Sequence, residues 1–320
     1  MKKASLKLFR KFKKLDLFSW IMYIVVVAWV FSLICVLGIC VLNSFKGDWD
    51  IIKYSFFEFS NLFSDDPRLG FHIENYVNIF RPVIKGVTDI ETSKYYNYLN
   101  VIVGEASNKV YIYELLWNSV FYSTMMTLFL IATQVMVAYA VAKYNFKILN
   151  WYYRVAVIVM LIPIVGSLAS ELRFLKFFSF ENNVLGVSIM RCKYPGIYFL
   201  VFYAMFKGLS STYMEAAQLD GAGHLQIFLQ IMLPLVKSTI FAVFILLFIQ
   251  NWNDYYTPML FLREKPVLTY ALYQLQMKTT GLEFNKKYAA CVSSAVPIVL
   301  LFIIFRNKIM GNVTMGGIKG

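Results

Sequence analysis

The chain has 320 residues, of which 59% are hydrophobic and 18% aromatic, while only 15% are charged. A soluble globular domain carries about 25% charged residues, so this composition excludes an ordinary soluble protein and favours an integral membrane protein. The formal net charge of +13 would also suit a nucleic-acid-binding protein. Much of the excess, however, lies in tails and short loops beside apolar runs, so we expect anionic lipid headgroups and no nucleic acid as its counterpart.

The first predicted elements are a basic tail, residues 1–16, and a membrane-spanning helix, residues 17–42. The helix carries no charge and would be about 39 Å long at about 1.5 Å per residue, enough to cross a hydrocarbon core of about 30 Å. We expect an uncleaved anchor, because the run is too long for the apolar core of a signal peptide and no small-residue cleavage site follows it.

Five further spans are predicted, so the fold class is an all-α integral membrane protein with six transmembrane helices. The third and fourth are short and are interrupted by proline and glycine residues. An insertion at 43–114 separates the first span from a five-helix core at 115–309, and a tail follows at 310–320. The five predicted spans are 115–142, 154–171, 194–209, 232–252 and 288–305.

The distribution of Lys and Arg predicts the orientation of these spans. The N-terminal tail has seven basic residues against one acid, whereas the insertion at 43–114 has seven basic and ten acidic residues. Both termini are therefore expected in the cytoplasm and the insertion outside. Within the insertion, residues 71–80 are amphipathic, which suits either a surface helix packed on the membrane or part of a docking surface for an external partner.

Metal and catalytic sites are not predicted. The four cysteines form no CxxC pair, and the two histidines lie far apart without a carboxylate cluster near them. A membrane-embedded enzyme is disfavoured because the spans hold almost no His, Asp or Glu. No GxxxxGK[ST] loop is present, so this chain is not expected to bind ATP or to hydrolyse it.

A polar segment at 210–235 interrupts the apolar core on the side assigned to the cytoplasm. Thr212 and Glu215 have the spacing of a capping box, with Ser210 and Ser211 as alternative caps. A short helix is therefore predicted through Leu219. The segment reads Met214-Glu215-Ala216-Ala217-Gln218-Leu219-Asp220-Gly221-Ala222-Gly223, and Leu233-Pro234-Leu235 follows.

The residues after this short helix predict a turn and a second helix. Gly221 and Gly223 supply positions for positive φ, and Asp220 can cap the second helix. Apolar residues then recur at helical spacing up to Leu235, and Pro234 is expected to kink or restart the helix. The alternative is an amphipathic connector lying at the lipid interface, but the segment lacks the Lys and Arg density typical of one.

The segment resembles the EAA loop of permease subunits of bacterial binding-protein-dependent ABC importers of the carbohydrate type. The resemblance covers roughly 70–320, and the tail is similar to the ending of the second permease subunit of maltose-type importers. The chain departs from the family at three places. It has Ser210 where the family usually has proline, and it lacks the further proline that the family often has at 236–238. Its insertion at 82–112 is longer than in most members. The other matching stretches are Phe71–Phe80, Trp117-Asn118-Ser119, Ala138-Tyr139-Ala140-Val141-Ala142, Asn251-Trp252-Asn253-Asp254-Tyr255 with Pro258, and Met315-Gly316-Gly317-Ile318-Lys319-Gly320.

The resemblance implies a type I ABC importer permease fold in the bacterial cytoplasmic membrane. It also implies a second permease subunit as a heterodimer partner, an external solute-binding protein, and two ATPase subunits that bind ATP and Mg. Glu215 is assigned to a helix cap or to a partner contact, with the cap preferred. The C-terminal Lys319 and Gly320 are further candidate contacts. The coupling contact to the ATPase is assigned to Glu215, Ala216, Ala217, Leu219, Asp220, Gly221, Ala222 and Gly223.

Candidates for the substrate pathway are polar and aromatic residues at or near the spans, because polar groups are costly there. The alternative assigns the amides to hydrogen bonds between helices and the rings to the interfacial aromatic belt. The expected cargo is a carbohydrate or oligosaccharide; a peptide or a sugar phosphate is the alternative, and a secondary transporter is disfavoured because inverted repeats are absent. The pathway candidates are Asn118, Gln134, Asn251, Trp252, Asn253, Asp254 and Tyr255, with Tyr256 as a further ring.

Overall fold

A computed structural model describes residues 16–53, 69–76, 112–162, 166–192, 195–278 and 284–313. Within these ranges the regular structure is helical, apart from an isolated antiparallel bridge between Lys46 and Phe71. The all-α prediction is therefore confirmed. The chain forms two compact units, one of residues 1–81 with 279–293 and the other of residues 82–278 with 294–320.

The helices follow one another along the chain with short connections. The longest composite helix, α9, contains a π-helical segment, Ile227–Met232, between an α-helical turn and the α-helix Leu233–Trp252. The helices are α1 Leu17–Ser44, α2 Asp48–Lys53, α3 Ile112–Lys143, α4 Lys147–Leu161, α5 Leu168–Phe177, α6 Val184–Arg191, α7 Ile197–Gly208, α8 Thr212–Leu219, α9 His224–Trp252, α10 Tyr256–Phe261, α11 Leu268–Lys278 and α12 Phe284–Val313.

Four helices in the described residues are long and apolar enough to cross a membrane. They coincide with the predicted first, second, fifth and sixth spans. The predicted fourth span corresponds to α7, a shorter apolar helix. The count of six spans and the boundaries between the predicted regions stay predictions. The four long helices are Leu17–Ser44, Glu114–Lys143, His224–Trp252 and Lys287–Arg306.

The predicted third span, 154–171, is wrong as a single helix. The chain there forms two helices, α4, which ends at Leu161, and α5, which begins at Leu168. Gly166 between them has φ +81°, a left-handed conformation that a helix cannot contain, so the apolar run is divided. The sequence signal for this break was present in the interruption by Pro163 and Gly166, but apolar length outweighed it in the prediction.

In the first unit, Asn75 fixes the segment 69–76 to the chain that leaves α1. Its amide donates to the carbonyl oxygens of Ser44 and Lys46, both at 2.9 Å, and its Oδ1 accepts from Asn285 at 3.0 Å. Asn75 is only 5% exposed, so all three bonds are shielded from water. The described part of the predicted amphipathic stretch is thus held by a buried amide; residues 77–80 lie outside the described residues.

In the second unit, α3 is the central helix and packs against α6, α7, α9 and α11. Three phenylalanines of α7, Phe199, Phe202 and Phe206, are fully buried against it. Their spacing of three and four residues places them on one face of the helix. They belong to a core, called here the Tyr139 cluster, that also includes Val135, Tyr139, Ala217, Ile227, Met232 and Val236.

A second core, the Tyr122 cluster, surrounds the beginning of α3. It joins Tyr122 and Met126 of α3 to side chains from the α5–α6 region, from α10 and the loop after it, and from α11. These short helices therefore form a cap at the opposite end of α3 from α8. The partners are Leu175, Val184, Val187, Met190, Phe261, Leu262, Val267 and Tyr270.

Gly186 lies so close to Phe180 in this cap that a larger residue at this position should lower the stability of the protein. A Cβ added to Gly186 would lie 2.3 Å from Cβ of Phe180 and 2.5 Å from its Cγ. Because these atoms are fixed close to the backbone, Gly186→Ala forces a shift, and we expect a loss of about 1–3 kcal/mol in the stability of the cap. Thermal unfolding of the purified protein in detergent measures it. Gly208→Ala, where no atom lies within 4 Å, is the control and should unfold no earlier than the parent.

Candidate functional site

The predicted coupling segment forms a short helix, α8, closed by a glycine turn. The amide of Ala222 donates to the carbonyl of Ala217 at 2.9 Å, and the amide of Gly221 donates to that of Gln218 at 3.0 Å. This pair of bonds, with Gly221 at φ +80°, is a Schellman motif. The predicted positive φ is confirmed at Gly221 and wrong at Gly223, which has φ −73°.

The beginning of α8 differs from the predicted capping box. The helix already includes Thr212, and the amide of Thr212 donates to the hydroxyl of Ser210 at 3.2 Å. The two hydroxyls also lie 2.7 Å apart. Capping by Thr212 and Glu215 is therefore wrong, and the predicted alternative, Ser210, supplies the local acceptor. Glu215 is exposed and makes no side-chain bond to the described residues, which leaves its carboxylate free for a partner.

The two adjacent alanines of the segment differ in exposure, although both line one side of α8. Ala217 is 6% exposed and belongs to the Tyr139 cluster, whereas Ala216 is exposed. Close packing by Ala217 is therefore made within this chain, and its predicted contact with a partner stays a prediction. Ala222 is half-buried against the same cluster. The exposed members of the predicted coupling set are Glu215, Ala216, Leu219, which is 89% exposed, Asp220, Gly221 and Gly223.

Aromatic residues attach α8 to the end of α3 and the beginning of α9. The Tyr139 ring lies 4.8 Å from that of Phe228 and 5.4 Å from that of Phe206, between centroids. Its hydroxyl reaches Sδ of Met214 at 3.8 Å, a weak contact. The α8 segment is therefore packed onto two long helices. The residues around Tyr139 point to the family resemblance, but nothing in the sequence predicts this contact.

Two polar contacts strengthen this attachment. Lys143 Nζ donates to the carbonyl of Leu209, just before α8, at 2.6 Å. The Tyr144 hydroxyl lies 3.0 Å from Nδ1 of His224, the first residue of α9. Both contacts escaped the sequence analysis because they join positions 66 and 80 residues apart.

The helix after α8 contains the predicted irregularity, but in another form. Pro234 neither breaks nor restarts α9; the helix is continuous, and its Ile227–Met232 portion is π-helical. A proline lacks an N–H and crowds the carbonyl four residues before it, so the wider π turns just before it accommodate the ring. Such π segments often occur at functional sites.

A surface groove of about 510 Å³, called here the α8 groove, lies between α8 and this π-helical segment. The buried Ala217 is one of its lining residues. The other lining residues are Ser210, Thr212, Tyr213, Ala216, Asp220 and Ile231.

Among the predicted pathway residues, two amides bond to segments far away in the sequence. Asn118 donates to the carbonyl of Pro266 at 3.0 Å, and Asn251 donates to Oγ1 of Thr127 at 3.1 Å. Gln134 is buried and faces Gly196, where an added Cβ would lie 3.1 Å from its Nε2. These contacts agree with the alternative assignment for the amides.

The remaining pathway candidates divide between buried and exposed positions. Trp252 is 3% exposed. Asn253 is exposed, although its amide bonds to the carbonyl of Ile249. Tyr255 is exposed and stacks on Tyr273, with ring centroids 4.5 Å apart and planes at 14°. The candidates therefore do not all line one described cavity, and Asn253 and Tyr255 are the exposed ones.

Asp254 is the centre of a polar network at the end of α9. Its Oδ2 accepts from the Tyr122 hydroxyl at 2.8 Å, and its Oδ1 accepts from the Thr257 amide at 3.1 Å. Arg191 in turn donates to the Thr257 hydroxyl at 2.8 Å. The network joins α3, α6, α10 and the residues just after α9, and of its members only Asp254 is predicted from the sequence.

Removing one hydroxyl from this network should destabilise the cap. Tyr122→Phe leaves Oδ2 of the half-buried Asp254 without the donor that Tyr122, 1% exposed, supplies; such a loss costs about 1–3 kcal/mol. We expect earlier thermal unfolding and weaker transport. Tyr256→Phe is the matched control, because Tyr256 is 51% exposed; equal unfolding temperatures for the two variants would contradict the structural role of the network.

Comparison with known proteins identifies the family. Residues 134–313 match the model of the "Binding-protein-dependent transport system inner membrane component" family. The arabinooligosaccharides transport system permease protein AraQ of Halalkalibacterium halodurans is 30% identical over 205 residues, 63% of this chain and 73% of that protein. Its namesake in Bacillus subtilis is 26% identical over 62% of this chain and 70% of that protein.

Two further relatives extend the comparison. The sn-glycerol-3-phosphate transport system permease protein UgpE of Escherichia coli O1:K1 / APEC is 24% identical over 64% of this chain and 73% of that protein. A crystal structure of a bacterial ABC transporter involved in the import of the acidic polysaccharide alginate has a chain of the same fold, with TM-score 0.61, 17% identity, and coverage of 92% of this chain and 98% of that chain.

Neither terminal candidate, Lys319 or Gly320, lies in the described residues. The family match, in contrast, covers α8, the α8 groove, and most of the Tyr139 cluster and the Asp254 network. It also includes every coupling residue predicted from the sequence, together with the whole of α9. The chain is therefore a permease subunit of a binding-protein-dependent transport system, a member of the inner membrane component family.

Proposed function

We propose that this chain is the transmembrane subunit of an ATP-driven importer for a carbohydrate or oligosaccharide. With a second permease subunit, it forms the pathway for a solute that an external binding protein delivers. The observation that carries the proposal is α8, a helix whose exposed side carries Glu215, Leu219 and Asp220. The opposite side is packed into the core of the same chain through Ala217.

The charge of α8 favours a protein partner over the lipid surface. Neither Glu215 nor Asp220 makes a side-chain bond to the described residues. Anionic headgroups would repel both carboxylates, so the interfacial connector considered from the sequence is disfavoured. A partner with basic residues would complement the two carboxylates. We assign this role to an ATPase subunit, which itself binds ATP and Mg.

The packing of α8 supports a mechanism for coupling. When the two ATPase subunits close on each other, each pulls the coupling helix that is docked on it, and one of these helices is α8. In this chain the movement passes through Ala217 and Tyr139 into α3 and through Phe228 into α9, because these side chains are in one cluster. Close-packed clusters move as units, so the core changes from inward-facing to outward-facing as the ATPase subunits close.

The names of the relatives and the residues at the pathway support a neutral sugar as cargo. Two relatives are named for arabinooligosaccharides. A phosphate ester, as in the name of UgpE, would need cationic groups along the pathway, and the predicted set contains an acid, Asp254, and no base. The exposed Tyr255 ring and the Asn253 amide are suited to stack on a sugar and to bond its hydroxyls.

The charge distribution supports the orientation within this function. The basic tail at 1–16 and the C-terminal tail with Lys319 and Gly320 lie in the cytoplasm of a bacterial cell, where the C-terminal tail also reaches the ATPase. The insertion at 43–114 and the cap around Tyr122 lie outside, where the binding protein docks. This arrangement places α8 on the cytoplasmic side, as ATPase coupling requires.

Co-expression with the partner subunits tests the proposal. The chain should purify in a complex with a second permease subunit and two ATPase subunits. In liposomes, the binding protein loaded with an oligosaccharide should stimulate ATP hydrolysis and sugar uptake, whereas the protein loaded with glycerol phosphate should not. Transport by this chain alone, driven by an ion gradient, would contradict the proposal.

A further inference from the structure

The α8 groove has the dimensions of a binding site for part of a partner. Its volume of about 510 Å³ lies within the range of about 300–1,000 Å³ that holds whole small ligands, so a single long side chain fits within it. The groove adjoins the exposed side of α8 through Ala216 and Asp220. Its occupant is therefore expected to arrive with whatever binds α8.

The lining of the groove combines an apolar wall with one acid. Ala216, Ala217 and Ile231 form the wall, and the ring of Tyr213 is 51% exposed beside them. Asp220 is exposed and makes no side-chain bond to the described residues. An aliphatic stem that ends in a cation matches this lining, because the stem covers apolar surface while the head reaches the carboxylate. A guanidinium can also stack on a tyrosine ring.

Two bases of this chain, on the helices α3 and α7, already make other contacts. Lys143 donates to the carbonyl of Leu209, and Lys207 bonds the Tyr203 hydroxyl at 3.1 Å. Anionic lipid headgroups are excluded by the charge of Asp220.

We propose that the α8 groove is a socket for an arginine or lysine side chain of the ATPase subunit, with its head paired to Asp220. The proposal rests on the proposed function, because it requires the ATPase to dock on α8. It adds a reciprocal element to that docking. The α8 helix inserts its exposed ridge, at Glu215 and Leu219, into the ATPase, and the ATPase inserts a basic side chain into this chain. With both α8 and the basic side chain inserted, the interface resists displacement in either direction better than with α8 alone.

The test measures the affinity of the ATPase subunit for the membrane subunits in nanodiscs. Asp220→Arg reverses the charge in the socket and places a cation at the C-terminal end of α8, where the helix dipole tolerates it. Ala216→Leu narrows the groove while keeping a strong helix former. We expect each to weaken binding at least about tenfold. Gln218→Leu, on an exposed position of α8 outside the groove, is the control and should bind like the parent.

Two further arms separate this proposal from the proposed function. Leu219→Lys alters the exposed ridge and not the socket. If it weakens binding while Asp220→Arg and Ala216→Leu do not, the socket is wrong and the docking of α8 stands; if none of the three weakens binding, the docking itself is wrong. A single Arg→Glu or Lys→Glu change at the ATPase surface should restore binding to Asp220→Arg alone. If no charge-reversed ATPase variant restores binding, the pairing with Asp220 is wrong. A benzoylphenylalanine in place of Tyr213 gives a second check. If irradiation crosslinks it only to the C-terminal tail of this chain, the pairing is also wrong.

Discussion

Replacing Ala217 by leucine should abolish transport. The side chain is 6% exposed in the Tyr139 cluster, so three added carbon atoms must displace neighbours in a close-packed core. Overpacking of this kind costs about 1–3 kcal/mol. Because the strain falls where α8 joins α3 and α9, we expect the coupling helix to be displaced. Binding-protein-stimulated ATP hydrolysis by the reconstituted importer should fall at least about tenfold.

The matched control for this prediction is the neighbouring position on the same helix. Gln218→Leu introduces the same side chain at an exposed site and should leave stimulated hydrolysis close to that of the parent. Assembly should be checked by co-purification of all subunits. If Ala217→Leu assembled and hydrolysed ATP normally, the packing of α8 into the core would not be required for coupling.

Gly221→Val should produce the second large loss. Gly221 closes α8 with φ +80°, a conformation that costs an L-residue about 1–2 kcal/mol and is least accessible to a β-branched one. No atom lies within 4 Å of an added Cβ, so the penalty comes from the backbone and not from a clash. The Schellman bonds of Ala222 and Gly221 should then be lost, and α8 should lose its fixed direction.

Gly223→Val provides the comparison for the backbone effect. Gly223 also has open space at its Cβ, but its φ of −73° is accessible to every residue. We expect stimulated ATP hydrolysis to fall about tenfold for the first variant and to change less than about twofold for the second, on the basis of a penalty of about 1–2 kcal/mol. Equal losses at both glycines would show that size, and not φ, limits this turn.

Local chemistry made part of α8 predictable from the sequence. An apolar residue followed by Asp-Gly after a short helical stretch predicts a glycine turn, and Gly221 adopts it. The N-terminal cap was predicted less well, because three adjacent hydroxyl residues compete for the same amides. Ser210 accepts the Thr212 amide, so Glu215 has no cap to complete.

The direction of each alanine could not be predicted from the segment alone. Ala216 and Ala217 are adjacent and chemically identical, and only the packing of α8 against Tyr139 and Phe228 decides which one is buried. The hydrogen bonds of Asn118 and Asn251 could not be predicted from the sequence either. Their partners lie 148 and 124 residues away in the sequence, so an intramembrane amide predicts a partner without identifying it.

The helical breaks show the same limit. Apolar length predicted the long spans, because a run of about 20 apolar residues has few other solutions in lipid. Between Leu161 and Leu168, apolar length predicted one continuous helix, but the positive φ of Gly166 divides it into two. The cap around Tyr122 was not predicted, since its short helices are stabilised by contacts among distant segments.

A photocrosslink from Leu219 tests the central claim, that α8 couples the permease core to a separate ATPase. Leu219 is 89% exposed on α8, so a benzoylphenylalanine in its place should not disturb the fold. In the complete importer, irradiation should join this chain to the ATPase subunit, and the yield should change when ATP is added. A crosslink only to lipid or to the second permease subunit, in a complex that still transports sugar, would contradict the claim.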